Sequence, residues 1–203
     1  PLWNAPKGTV FFSSPAVTPV MLRDILPKLN YADKRYWMFI RAGKREYEVL
    51  KSLAEDKNIN MKQLAFCIGV EFPSDRMLKR MNKGVTLFEY VQMINFLESV
   101  GSTINCSYIT GWPNITKEDI EEAKMFFRLL GDAGVIVYKP LMRMPISVSE
   151  NGSVLSLTDP GDSSSEANFF PSCYPNLNKE QKDLDNKWIR LLKTRENSCI
   201  RND

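Results

Sequence analysis

Four basic residues stand close together at Arg76, Lys79, Arg80 and Lys83. On a helix, Lys79 and Lys83 fall one turn apart, with Arg76 and Arg80 beside them. Such a face suits contact with phosphate, and an arginine fork on it reads a guanine edge. Four acids, Glu118, Asp119, Glu121 and Glu122, crowd a second short stretch. They are of the type that holds a metal ion, but their place at a helix start is better explained by capping and dipole compensation. No metal site and no cofactor is expected. The chain has no histidine, which excludes Ser-His-Asp and Cys-His machinery and His-ligated zinc or haem. Cysteines stand at 67, 106, 173 and 199 with no CxxC spacing, a poor set for zinc. Free thiols are the expectation. There is no P-loop, GxGxxG or GxSxG, so an enzyme is not expected.

The elements that must carry these residues belong to a folded chain of 203 residues, 43% hydrophobic and 25% charged. Net charge is +3, which does not by itself argue for nucleic acid. The N-terminal residues 1–43 hold six Lys/Arg against two Asp/Glu, whereas 44–203 hold 21 against 22. No signal peptide is visible, and no apolar run approaches the roughly 20 residues of a membrane span. An intracellular protein, cytoplasmic or nuclear and without a membrane partner, is expected.

Periodicity predicts a mainly α (α+β) fold. Residues 1–17 read as an irregular arm, with a short strand possible at Thr9–Ser13. Thr18-Pro19 starts a helix. Tyr36–Ile40 is a strand or a buried helical turn; spacing does not decide. From Lys44 the pattern is helical. Tyr47, Leu50, Leu53 and Ala54 form one helix, and Met61, Leu64, Ala65 and Ile68 a second. Met77, Leu78 and Met81 mark a third, and Leu87–Leu97 a fourth, stopped by Gly101. The expectation is a compact helical bundle over 18–101. An α+β region at 102–158 follows, with a connection, a helix capped by Thr116 and Asp119, a strand at Val135–Tyr138 and a hairpin about Asn151-Gly152. A linker at 159–177 leads to a terminal helix at 178–203.

Over residues 44–101 the chain resembles the lambda-repressor-like (Cro/XRE) helix-turn-helix family. Leu64, Ala65, Ile68, Gly69 and Val70 carry the resemblance, with Ala65 at a tight helix crossing and Gly69 at the turn. It departs from the family in the longer turn Glu71-Phe72-Pro73 and in Asp75, where an apolar residue is expected. The resemblance implies that Ser74–Lys83 is the helix that enters the major groove. Arg76, Lys79, Arg80 and Lys83 would then touch nucleic acid.

The terminal helix is amphipathic, with Leu184, Trp188, Leu191 and Leu192 at i, i+4, i+7 and i+8. That face either docks in a partner's groove or folds back on its own domain. The functional expectation is a non-enzymatic interaction or assembly module. Its partner is another protein or a second copy, held through Leu184, Trp188, Leu191 and Leu192. The alternative is a nucleic-acid-binding regulator acting through the basic helix.

Overall fold

The computed structural model describes residues 8–13, 16–112, 114–131, 133, 146–148, 154–157 and 179–199. Four strands form one sheet: β1 (Gly8–Phe11), β2 (Lys34–Ile40), β3 (Leu64–Glu71) and β4 (Thr103–Tyr108), ordered β1-β2-β3-β4. β2 runs parallel to both β1 and β3, with Phe11 beside Trp37 and Phe39 beside Cys67. Helices alternate with the strands: α1 (Pro19–Ile25), α2 (Lys44–Ala54), α3 (Asp75–Arg80), α4 (Leu87–Ser99), α5 (Lys117–Leu130) and α6 (Lys179–Cys199). A separate antiparallel pair joins β5 (Ile146–Val148) to β6 (Val154–Leu157). The expected strand at Val135–Tyr138 and the linker at 159–177 lie outside the described residues.

The fold is therefore α/β, which corrects the mainly α (α+β) bundle read from periodicity. The decisive segment is Leu64–Glu71, expected as a helix and turn. Its first five residues are all buried, as in a parallel strand covered on both sides. Such a strand is a continuous apolar run, and any such run also satisfies an i, i+3, i+4 pattern. The turn at Gly69 is thus a strand interior, and the helix-turn-helix resemblance has no structural counterpart. Thr103–Tyr108, read as a connection, is the fourth strand.

The described residues fall into two compact units. One comprises those up to Val70 together with Phe88–Ser107 and Leu130, Gly131 and Ala133; the other comprises Glu71–Leu87, Tyr108–Leu129, β5, β6 and α6. In the first, strands follow chain order, and the connection from each parallel strand to the next runs through a helix. β2 alternates, with Tyr36, Met38 and Ile40 buried while Arg35 and Phe39 are exposed. Leu22 and Leu26 are fully buried in this core. Tyr47 of α2 meets Phe96 of α4 edge-on at 5.5 Å. The Tyr90 hydroxyl on α4 donates to the Gly69 carbonyl of β3 at 2.9 Å.

In the second unit, Trp188 of α6 is fully buried. Its ring lies 4.6 Å from Phe72, 5.9 Å from Tyr108 and, stacked, 6.0 Å from Phe127. Offset and edge contacts of this kind add to the area such rings bury.

Candidate functional site at the strand ends

In open parallel sheets and barrels, ligands gather at the carboxyl ends of the strands, where the βα loops begin. Two such ends fall in the second unit. β3 ends on Glu71, whose backbone is left-handed (φ 66°), and the following Phe72-Pro73-Ser74 leads into α3. β4 ends on Tyr108 and continues through Ile109, Thr110, Gly111 and Trp112. The Ile109 amide donates to the Glu71 carbonyl at 2.7 Å and so ties the two ends together. Among the described residues, the non-glycine positions with positive φ are Glu71, Asn82 and Asn114, all in this unit. A carboxylate residue held left-handed at a strand end is the sort of local strain that accompanies a site.

The four basic residues of the sequence reading surround this loop, and three of them are engaged within it. The Glu71 Oε1 takes the Lys83 ammonium at 3.2 Å. Arg76 makes an ion pair with Asp119 and donates to the Asn114 carbonyl at 2.7 Å. Arg80 is half-buried against Met77, with 3.7 Å from its guanidinium to Sδ, and burial and the neighbouring Arg76 lower its pKa. Lys79 is exposed. The helix that carries them has six residues, Asp75–Arg80.

Asp119 closes the network. Its side chain is 2% exposed. It accepts from the Ser74 hydroxyl at 2.5 Å, from the Arg76 guanidinium and from the Thr116 amide at 2.7 Å. The Asp119 amide in turn donates to the Thr116 hydroxyl at 3.3 Å, a reciprocal cap on α5. Burial pushes its carboxyl up, but the bonds from Arg76, Ser74 and Thr116 outweigh that and hold it below the ordinary carboxylate value. Arg76 is raised in step, first through its bond to Asp119.

The terminal helix grips the β4-end loop. Gln181, Asp185 and Trp188 stand at i, i+4 and i+7. Gln181 donates to the Ile115 carbonyl at 3.0 Å, Asp185 accepts from the Gly111 amide at 2.7 Å, and Trp188 donates to the Ile109 carbonyl at 3.0 Å. Leu184, Trp188 and Leu192 are buried and Leu191 is half-buried. Leu184 also floors a cleft of about 340 Å³ with Ile120, rimmed by Lys117, Lys124, Lys187 and Glu121. Spacing alone did not reveal Glu71, Thr110 or Asp185. Their signal is positional: each stands at, or bonds to, the end of a strand that was itself misread.

Two buried side-chain atoms of the β4-end loop, Thr110 Oγ1 and Trp112 Nε1, have no hydrogen-bond partner. Among the described residues no group of three or more His, Cys, Asp or Glu side chains is placed to hold a metal. Cys67 and Cys106 are buried on neighbouring strands, and burial pushes the Cys67 thiol up. No described helix is long and apolar enough to cross a membrane.

Comparison with known proteins finds similarity to parts of proteins named as enzymes. The chain is 33% identical over 95 residues to a tRNA-2-methylthio-N(6)-dimethylallyladenosine synthase of Pelotomaculum thermopropionicum, covering 42% of this chain and 21% of that protein. It is 27% identical over 111 residues to the ribosomal protein uS12 methylthiotransferase RimO of Caldanaerobacter subterraneus, covering 54% of this chain and 25% of that protein. The chain spans about a fifth to a quarter of the length of these relatives. A solved structure, the cobalamin-dependent S-adenosylmethionine radical enzyme OxsB with aqua-cobalamin bound, superposes with a TM-score of 0.49 at 17% identity, over 60% of this chain and 19% of that one. No family model matches. The relatives overturn the expectation of a non-enzymatic adaptor and that of a DNA-binding helix-turn-helix regulator, since they are named as enzymes that modify tRNA and a ribosomal protein.

Proposed function

We propose that this chain is part of the catalytic α/β scaffold of a radical S-adenosylmethionine, methylthiotransferase-like enzyme. The observation that carries the reading is its similarity to the two kinds of methylthiotransferase, over about half the chain. Placing a methylthio group on an adenosine ring carbon replaces a C–H bond, and S-adenosylmethionine is a cofactor that supplies radical chemistry of that kind. The parallel sheet supports the reading, because its strand-end loops are where such a scaffold holds its ligand. Glu71 and the Thr110–Trp112 segment are the residues assigned to that role, with Glu71 facing the cationic end of the ligand.

Radical enzymes of this class also use iron–sulfur clusters, which thiolates hold. The described residues do not fit one: Cys67 and Cys106 are buried on adjacent strands, and Cys67 is biased towards the neutral thiol. The role proposed for this chain is therefore ligand binding and orientation. A cytoplasmic setting belongs to the same proposal, since the relatives are named for tRNA and ribosomal protein.

Calorimetric titration with S-adenosylhomocysteine tests the assignment. Saturable binding is expected, weakened about tenfold in Glu71→Gln, which removes a charge-assisted contact. Absence of binding to the parent chain at millimolar ligand defeats the reading.

A further inference from the structure

Within the second unit, α6 holds the segment after β4 at both ends and in the middle. The Trp188 indole donates to the Ile109 carbonyl, and the Gln181 amide donates to the Ile115 carbonyl. Between these two, Asp185 Oδ1 accepts from the Gly111 amide at 2.7 Å. The outer bonds come from neutral side chains. The middle one joins a buried carboxylate side chain to a backbone N–H, the charge-assisted kind, which is the stronger.

The place of that bond matters because of what flanks it. Gly111 has φ +80°, a left-handed conformation that glycine adopts freely. Its N–H belongs to the peptide that joins it to Thr110. The direction of this planar unit sets ψ of Thr110 and φ of Gly111 together. Asp185 therefore selects one orientation of a peptide that the glycine alone leaves free to turn. Thr110 and Trp112, the neighbours of Gly111, are 1% and 6% exposed. Among the described residues, Thr110 Oγ1 and Trp112 Nε1 find no hydrogen-bond partner. Buried donors are ordinarily bonded, and the few polar groups of a ligand site are the ones that fix a ligand's orientation.

We propose that Asp185 is a positioning residue for ligand binding. By holding the Gly111 peptide, it sets where the Thr110 hydroxyl and the Trp112 indole N–H meet acceptor atoms of the ligand. The inference rests on the ligand role proposed above for Thr110–Trp112, and it adds a residue of α6 that acts through the loop. Trp188 and Gln181 keep the helix docked when Asp185 is changed, so the loop loses its alignment while the unit keeps its fold.

The test compares Asp185→Asn, Asp185→Ala and Gly111→Ala by calorimetric titration with S-adenosylhomocysteine. Urea midpoints report folding, and NMR follows the Gly111 amide and the Trp112 indole N–H. Asp185→Asn keeps an oxygen acceptor for the Gly111 N–H and stays within about threefold of the parent affinity. Asp185→Ala leaves that N–H without this acceptor. Its affinity falls about tenfold, the Gly111 amide exchanges faster and the Trp112 indole resonance moves. Gly111→Ala disturbs the same peptide from the loop side, because alanine resists φ +80°, and its affinity falls by a similar factor. It decides the matter if Asp185→Ala does not fold. Parent-like affinity in Asp185→Ala or in Gly111→Ala overturns the proposal. So does an Asp185→Asn variant as weak as Asp185→Ala, which assigns the effect to charge. A parent that binds no S-adenosylhomocysteine defeats the enzymatic reading. Unchanged Gly111 exchange with an unmoved Trp112 resonance in Asp185→Ala defeats the positioning role, with or without ligand, so the two fail separately.

Discussion

Two regions handle their chemistry in opposite ways. Around Asp119 the charges are matched: carboxylate, guanidinium, hydroxyl and helix amide all meet within one cluster, and the carboxylate is 2% exposed. On β1 and β2, the Phe11 and Phe39 rings stand 51% and 38% exposed and meet edge-on at 5.7 Å. A closed polar network holds a fold in place and offers little to a ligand, because its donors and acceptors are already used. An incomplete face has capacity left. The residues that looked most chemical in the sequence, the basic group and the acidic group, meet through the single pair Arg76–Asp119. The residues left partly in solvent on β1 and β2 are aromatic, Phe11 and Phe39.

The sharpest contrast is between two aromatic residues. Trp188→Ala removes a fully buried ring that touches Phe72, Tyr108 and Phe127 and bonds to the Ile109 carbonyl. A loss of about 3–5 kcal/mol is expected, read from the urea midpoint. A loss under about 1 kcal/mol would mean that α6 is not part of the core.

Asp119→Asn comes next. Since Arg76 is 42% exposed, the ion pair is screened, and a loss of about 1–2 kcal/mol near neutral pH is expected. The pH dependence follows from the sign of the shift. Asp119 is held below its ordinary value when folded, so its contribution is complete above the unfolded value and disappears as pH falls through the folded one. Urea midpoints at about pH 7 and about pH 3 should therefore converge between parent and Asp119→Asn. A constant gap across that range would contradict the network.

The smallest effect is expected on the open face. Phe11→Ala should change stability by less than about 1 kcal/mol, because the ring is already half in water. A larger loss in thermal denaturation would mean the face is covered in solution.

Local signals survived in the structure where they depended on local chemistry. Thr18 caps α1 by accepting from the Met21 amide, and Thr116 with Asp119 caps α5. Gly101 has the positive φ expected of a helix stop. The sheet was harder to read. Leu64–Glu71 has no alternation because both its faces are covered, and Thr103–Tyr108 mixes polar with apolar residues because its two faces differ. Strand identity in both cases comes from neighbours far away in sequence. Glu71 could not be singled out while its strand was read as a helix and turn. The Arg76–Asp119 pair, 43 residues apart, has no signature in either local stretch.

The grip of α6 on the β4-end loop bears on how the chain matures during synthesis. The Trp188–Ile109 bond spans 79 residues, and the Asp185–Gly111 bond spans 74. At a ribosomal pace of about 5–20 residues per second, the loop after β4 waits roughly 4–16 s for the indole that completes it. During that interval Phe72, Tyr108 and Phe127 lack their central partner. The nascent chain therefore passes through a stage with three large aromatic residues unsheltered, a natural point for a chaperone to engage it.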